Sequence, residues 1–277
     1  MPELLTDGLM FGEGPRWHEN ALWLSDMHAQ QVLKISPSGE KEVIVELAND
    51  QPSGLGWLPN GDLLIVSMTN RSLLRYDGYE LANHADLGDL ASWYCNDMVV
   101  DQAGRAYVGN FGFDLHNGAP SRTAELICVE PDGEARIVAD GLAFPNGTVI
   151  TADNKTLIVG ESFGGKLTAF DIMEDGNLVN PRTWASLPEG AVPDGICLDE
   201  ADGIWCASPT SNECVRLLEG GEVTHRISLD RGAFACMIGE DKLYVLTSST
   251  SQPEECKANK DARVEIYDAP YAAAGWP

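Results

Sequence analysis

The chain lacks the segments that membrane insertion and secretion require. No run approaches the ~20 consecutive apolar residues that cross a bilayer, although 44% of the sequence is hydrophobic. The first ten residues, MPELLTDGLM, have neither the basic region nor the apolar stretch of a secretory signal. We therefore expect a cytoplasmic protein that does not associate with membranes and that has enough apolar residues for a substantial core.

Basic residues are scarce in this sequence. The chain has 18 Lys and Arg against 43 Asp and Glu, which gives a formal net charge of −25. A surface with this charge repels nucleic acid and anionic lipid headgroups, so neither is expected as a partner. Bulk acidity does attract cations, but it does not by itself identify a specific cation site.

The sequence gives little support for two kinds of nucleophilic chemistry. There is no Cys-x-x-Cys pair, and the seven cysteines are an odd number, so we expect them to be reduced and buried. One Gly-x-Ser-x-Gly match occurs, GESFG at residues 160–164, but the five histidines share no repeat position, so no histidine is indicated as its partner. Neither a thiol nucleophile nor a Ser-His-Asp triad is therefore indicated.

Helical periodicity does not extend far anywhere, and a short hairpin recurs instead. Each copy has an apolar run, a turn rich in Gly, Asp and Asn, and a second apolar run. The copies are FGEGPRWHENALWLSD from residue 11, PSGLGWLPNGDLLIVS from 52, CNDMVVDQAGRAYVGN from 95, PNGTVITADNKTLIVGES from 145, PDGICLDEADGIWCAS from 193 and FACMIGEDKLYVLTS from 234. Most copies are followed by a third strand pattern, and some by a fourth.

The repeat length predicts the fold. The residues just before the first apolar run are spaced 40, 43, 50, 48 and 40 apart; they are Glu13, Ser53, Asn96, Asn146, Asp194 and Phe234. Six units of about four short strands, each of ~40–50 residues, are typical of a β-propeller. We expect an all-β, six-bladed β-propeller with four-stranded blades that forms a single domain over residues 1–277. The segment PELLTDGL is the expected fourth strand of the last blade, which closes the ring.

Propeller geometry gives the aligned positions a common location. The first strand of each blade lines the central channel, so the residues at its start meet at one mouth of that channel. Four of the six are Glu13, Asn96, Asn146 and Asp194. Their side chains carry carboxylate and amide oxygens, which are the ligands that a hard cation prefers. Two carboxylates would also repel each other without a cation between them. The sequence therefore indicates a cation site on the propeller axis.

Ordinary turn chemistry is the alternative interpretation of these residues. Asn-Gly, Asp-Gly and Ser-Gly are common turn signals, and Pro59-Asn60-Gly61 and Pro131-Asp132-Gly133 carry them as plain turns. The two plain turns fall between strands, whereas the four candidate ligands share one repeat position. That common register favours the cation site without excluding the turn interpretation.

Four motifs in order resemble a known family. GEGPRW, CNDMVVDQAGRAYVGN, PNGTVI and PDGICLDEADGIW resemble the senescence marker protein/gluconolactonase/luciferin-regenerating enzyme family over residues 11 to 250. The resemblance implies a six-bladed propeller that holds one divalent ion in its axial channel and hydrolyses lactones. Calcium is the first choice of metal, and zinc, magnesium or manganese are the others.

The resemblance also implies residue roles. Glu13, Asn146 and Asp194 would be the metal ligands, and Asp194 would be the general base. Asn96 would bind substrate or a metal-bound water, with Asp97 supporting the site. Members that act on sugar lactones often carry an Arg two residues before the Asn, where this chain has Tyr94.

The expected substrate is a small lactone or ester. Tyr94, Phe111 and Phe163 are predicted to line its pocket, and this aromatic rim favours a less polar compound than a sugar lactone. His28 and His116 lie in loops that could approach the channel, and their participation stays open. A phosphotriesterase-type hydrolase and a non-catalytic propeller that binds calcium or a small molecule are the alternative functions. The sequence does not indicate an oligomeric state.

Overall fold

The computed structural model describes residues 3–276, which form six four-stranded antiparallel sheets arranged as blades in a ring. The strands total 24 over these residues, and they are joined mainly by tight turns. This confirms the predicted all-β fold and the six-bladed β-propeller. The motifs Pro59-Asn60-Gly61 and Pro131-Asp132-Gly133 are turns between strands, as expected.

The strands run outward from the channel in chain order within each blade. The first strand of the described chain, β1 (Glu3–Leu9), belongs to the last blade. Blade 1 contains β2 (Gly12–His18), β3 (Ala21–Asp26), β4 (Gln31–Ile35) and β5 (Lys41–Glu46). Blade 2 contains β6 (Pro52–Trp57), β7 (Leu63–Ser67), β8 (Ser72–Tyr76) and β9 (Leu81–Asp86). Blade 3 contains β10 (Cys95–Val100), β11 (Ala106–Asn110), β12 (Ala124–Val129) and β13 (Ala135–Leu142).

The second half of the ring follows the same plan. Blade 4 contains β14 (Pro145–Ile150), β15 (Thr156–Glu161), β16 (Lys166–Ile172) and β17 (Leu178–Ser186). Blade 5 contains β18 (Ile196–Leu198), β19 (Ile204–Ser208), β20 (Glu213–Leu217) and β21 (Val223–Ser228). Blade 6 contains β22 (Gly232–Gly239), β23 (Lys242–Ser248) and β24 (Ala262–Asp268), with β1 as its outer strand.

The last blade closes the ring by pairing the two ends of the described chain. Strand β1 lies antiparallel to β24, with Glu3 opposite Ile266 and Thr6 opposite Val264. This pairing covers strand edges that an open ring would expose. The predicted closure by the N-terminal strand is confirmed.

The innermost strands β2, β6, β10, β14, β18 and β22 contact one another in chain order, and β22 contacts β2. Glycine permits the closest approaches. A Cβ at Gly54 would lie 2.4 Å from the backbone nitrogen of Met98, and one at Gly147 would lie 2.4 Å from that of Ile196. Real side chains do not tolerate such distances, so these glycines keep the channel narrow.

Three short helical segments interrupt the strands. Two are single-turn 3-10 helices at Met27–Ala29 and Ser162–Gly164, and the third is α1 (Pro253–Asn259) between β23 and β24. Helix α1 packs against the Met27–Ala29 turn. No helix within residues 3–276 is long and apolar enough to cross a membrane.

Apolar side chains between neighbouring blades form the core. Leu64 and Val66 of blade 2, for example, pack in one cluster with Met98 and Val108 of blade 3. All seven cysteines are free and buried, as the sequence predicted.

Candidate metal centre and active site

The aligned positions lie at the start of the innermost strands. Glu13, Ser53, Asn96 and Asn146 are each the second residue of their strand, and Asp194 comes two residues before β18. The strand pairing is irregular at these points. In the hairpins of blades 1, 2, 3 and 4 the register shifts between residues 13 and 16, 52 and 55, 95 and 98, and 145 and 148.

Bulges of this kind redirect side chains and are common beside active sites. Blade 6 has a similar shift between Ala233 and Ala235, next to the aligned Phe234. Glu13, Asn96 and Asn146 are thus strand residues at irregular pairings, and Asp194 lies just before its strand, so none of them belongs to a hairpin turn.

One cavity brings the four candidate polar residues together. Its volume is roughly 370 Å³, and Glu13, Asn96, Asn146 and Asp194 all line it. These residues come from blades 1, 3, 4 and 5, so only the closed ring can assemble them. Asp97, the neighbour of Asn96, is not among the lining residues.

Hydrogen bonds hold both asparagine side chains in place. Asn96 donates from Nδ2 to the carbonyl of Pro145 at 3.2 Å, and Asn146 donates from Nδ2 to Oγ of Ser162 at 3.2 Å. Ser162 in turn donates to the carbonyl of Pro193 at 2.6 Å. With the amino groups engaged in this way, each amide offers its oxygen to a cation.

Burial disfavours the ionised forms of both candidate carboxylates. Burial raises the pKa of Asp194 to about 8, and the charge of Asp97 acts in the same direction, whereas a hydrogen bond from Asn146 opposes it. Burial, followed by the charges of Asp194 and Asp97, raises the pKa of Glu13 well above its ordinary value. A cation between the two carboxylates would remove this penalty, so the charges fit a bound cation.

The donor set also fits a hard cation, because carboxylate and amide oxygens are the ligands that calcium and magnesium prefer. Within residues 3–276, no group of three or more His, Cys, Asp or Glu side chains is arranged to hold a metal. The candidate centre therefore depends on its amide oxygens as well as on its two carboxylates.

Asp97 is paired with Arg16 instead of facing the cavity. Its Oδ1 accepts from Nη2 of Arg16 at 2.7 Å and from the backbone nitrogen of Met98 at 2.8 Å. In the repeat, Asp97 takes the place of Gly14, Gly54, Gly147 and Gly195. The ion pair supplies the positive charge that this buried carboxylate requires.

The three aromatic residues predicted to line the substrate pocket do not all line the cavity. Phe111 and Phe163 line the cavity, whereas Tyr94 is not among its lining residues. Tyr94 stacks on Trp93 with 5.1 Å between the ring centroids, and both pack against the phenylalanine cluster beside the cavity. A direct contact between Tyr94 and substrate stays a prediction.

Both histidines left open by the sequence line the cavity. His28 is buried beside Phe11, with 5.5 Å between the ring centroids, and its Nδ1 lies 3.4 Å from Nε2 of Gln51. Burial, and then the positive charges of Lys257 and His116, lower the pKa of His28 to about 4. His28 is therefore neutral at physiological pH.

Sequence reasoning missed several lining residues. Ser162 follows β15, while Ser251 and Gln252 precede α1, and all three line the cavity. Their positions carry no repeat signal, because they belong to connections that differ from blade to blade. For Ser251 and Gln252 the available signal was the length of the segment between β23 and β24, and for Ser162 it was the GESFG match at residues 160–164.

The chain is similar to proteins of known name over most of its length. A family model described as SMP-30/Gluconolactonase/LRE-like region matches residues 11–249. Regucalcin from Gallus gallus is 27% identical over 263 residues, which cover 90% of this chain and 87% of that protein. Pentonolactonase XacC from Haloferax volcanii is 27% identical over 201 residues, which cover 71% of this chain and 66% of that one.

A solved structure shows the same fold. It is a regucalcin from Agrobacterium tumefaciens, described as a calcium-binding protein. The TM-score is 0.79 at 18% identity, and the match covers 99% of this chain and 95% of the other.

Proposed function

Because the chain belongs to the SMP-30/gluconolactonase/LRE-like family, we propose that it is a metal-dependent hydrolase that opens the ring of a lactone. The pentonolactonase relative supports this reaction class. The observation that carries the proposal is the meeting of Glu13, Asn96, Asn146 and Asp194 on one cavity. Two carboxylates and two amides match the needs of a hard cation beside a small-molecule pocket.

Glu13, Asn146 and Asp194 would hold one divalent cation. Calcium is the first choice, which the calcium-binding regucalcin of the same fold supports; magnesium, manganese and zinc are the alternatives. When bound, such an ion acts as a Lewis acid toward the carbonyl oxygen of an ester.

The protein side chains have separate tasks in this reaction. Asp194 accepts a proton from the water whose oxygen attacks the lactone carbonyl carbon. The bond between that carbon and the ring oxygen then breaks, and the proton passes to the ring oxygen to give a hydroxy acid. Asn96, held by the carbonyl of Pro145, donates its second amide hydrogen to a substrate oxygen and orients the ring.

The test is a panel of lactones assayed with chelator-treated protein to which single metals are returned. We expect hydrolysis to disappear with the chelator and to return with at least one of calcium, magnesium, manganese or zinc. Full activity in chelator, or no hydrolysis of any lactone with any metal, would contradict the proposal. A fluorophosphate ester in the same panel distinguishes the phosphotriesterase-type alternative.

The single domain and the cytoplasmic location stay predictions.

A further inference from the structure

Phenylalanine is concentrated around the candidate active site. The chain has seven phenylalanines, and five of them belong to one buried cluster beside the cavity: Phe11, Phe111, Phe113, Phe144 and Phe234. A sixth, Phe163, packs against Phe113 and Phe144. Such a distribution exceeds what packing between blades requires, because the other inter-blade clusters are built mainly from aliphatic side chains.

Three of these rings form one continuous surface on blades 3 and 4, which we call the aromatic wall: Phe111, Phe144 and Phe163. The ring centroids of Phe111 and Phe144 are 4.5 Å apart, and those of Phe144 and Phe163 are 5.2 Å apart. Phe113 supports the wall from behind, 6.0 Å from Phe144 and 5.5 Å from Phe163. All three wall residues line the cavity, whereas Phe113 does not.

Large apolar side chains at the rim of the cavity are exposed to solvent. Phe163 is 57% exposed and Leu115 is 37% exposed, and both line the cavity. Exposed apolar groups gathered at a cavity mouth mark a surface that a ligand covers. A ligand that covers Phe163 must itself be apolar where it touches the ring.

Backbone strain at Phe144 is a second, independent observation. Its φ is 64°, in the left-handed region that a bulky side chain rarely adopts. The carbonyl of Phe144 accepts from the backbone nitrogen of Ser162 at 3.0 Å, which keeps the ring against the cavity. Strain of this kind is retained where the surroundings enforce it, most often at functional sites.

Half of the residues that line the cavity are apolar, and its only acidic side chains are those of the candidate metal centre, as far as residues 3–276 show. No Lys or Arg among residues 3–276 lines it. Beyond the four candidate polar residues, the polar lining consists of His28, His116, Ser162, Ser251 and Gln252. Any hydroxyl of a substrate that faced the aromatic wall would lose its hydrogen bonds to water.

We propose that the aromatic wall is a subsite for an apolar substituent, so that the preferred substrates are lactones with an alkyl or aryl group on the ring. This inference rests on the proposed lactonase function. The candidate metal centre acts on the ring ester, and the wall of Phe111, Phe144 and Phe163 binds the substituent.

The first test is a series of γ-lactones with unbranched alkyl groups of increasing length, together with an aldonolactone. Each added methylene should raise kcat/KM by about fourfold until the wall is covered, as expected for burial of one CH₂. The Phe163→Ala variant should reduce the ratio of kcat/KM between the longest and the shortest lactone by about tenfold. A matched control is Tyr79→Ala, which removes an aromatic ring that is 96% exposed and lies outside the cavity; it should leave this ratio unchanged.

Binding of non-hydrolysable lactams separates this inference from the lactonase function. Alkyl-substituted lactams should bind more tightly with each methylene in the wild type, and Phe163→Ala should weaken this dependence, even if no lactone is hydrolysed. Hydrolysis of the aldonolactone far faster than of any alkyl lactone, with no effect of alkyl length on lactam binding, would overturn the inference and leave the lactonase function standing. The inference would also be overturned if lactam affinity rose equally with alkyl length in the wild type and in Phe163→Ala.

Discussion

Arg16 and Asp97 form a buried ion pair that connects blade 1 to blade 3, with 2.7 Å between Nη2 and Oδ1. Their side chains are only 4% and 9% exposed. Arg16 also donates from Nε to the carbonyl of Leu55 in blade 2 at 2.9 Å. One guanidinium therefore holds three innermost strands together, three residues along β2 from the candidate ligand Glu13.

Removing this guanidinium should be costly. We expect Arg16→Met to lower the free energy of unfolding by about 3–5 kcal/mol, because Asp97 is left as a buried, unpaired charge. Urea denaturation measures the loss. The control is Arg182→Met, which breaks the pair of Arg182 with Asp171, both side chains 42% exposed, and should cost far less because solvent screens this pair. Equal losses in the two variants would show that the Arg16 pair has no special structural role.

Asp194→Asn should remove most lactone hydrolysis. The substitution keeps the shape of the side chain but removes a proton acceptor and a ligand charge, so kcat should fall about 10²–10⁴-fold. Steady-state assays on the best lactone of the panel provide the measurement. Asp153→Asn, in the exposed turn between β14 and β15, is the matched control and should keep wild-type rates. Turnover near that of the wild type in Asp194→Asn would contradict the proposed base.

Metal binding should be visible as stabilisation of the folded state. Calcium at 100 times its dissociation constant should add about 2.7 kcal/mol to the unfolding free energy of chelator-treated protein. The shift in melting temperature on adding the metal should disappear in Glu13→Gln and persist in Asp153→Asn. If Glu13→Gln responded to calcium as the wild type does, Glu13 would not be a ligand.

His28 should make the protein sensitive to acid. Its folded pKa is about 4, below the ordinary histidine value of roughly 6.5, so between these values the unfolded chain binds more protons. Stability should therefore rise as pH increases from 4 to 6.5, because the slope follows the difference in bound protons. His28→Gln should flatten this slope in urea denaturation, whereas His225→Gln, at an exposed position, should not. Identical slopes in His28→Gln and the wild type would refute the assignment.

The positive φ of Phe144 predicts an inverted order of stability between two small substitutions. Glycine should be more stable than alanine at this position by about 1 kcal/mol, because the left-handed conformation penalises a Cβ. The control is Phe111, which stacks on Phe144 and has no positive φ; there alanine should be the more stable replacement. Thermal denaturation of the glycine and alanine variants at both positions measures which replacement is the more stable at each. The same order at both positions would argue against strain at Phe144.

Much of the fold was predictable because its signals are local. Apolar runs separated by Gly, Asp and Asn turns define hairpins within about 16 residues, and their recurrence indicates blades. The candidate ligands were predictable for the same reason. Glu13, Asn96, Asn146 and Asp194 share a repeat position, and the propeller topology brings equivalent positions together.

Other features of the site depend on contacts that the repeat does not specify. The sequence placed Asp97 beside Asn96 as a support of the site, but its partner Arg16 lies 81 residues away and belongs to another blade. The bulges beside Glu13, Asn96 and Asn146 arise from strand pairing, which the apolar pattern does not resolve. Ser251 and Gln252 reach the cavity through the connection of blade 6 that contains α1.

The pairing of β1 with β24 has a consequence for protein synthesis. Residues near position 3 pair with residues near position 266, so a ribosome must translate almost the whole described chain before the last blade can form. Until then, the first strand has no partner, and the ring that carries the four candidate polar residues is open. Cation binding is thus expected late in biosynthesis, and any slow step in closing the ring would delay the appearance of activity.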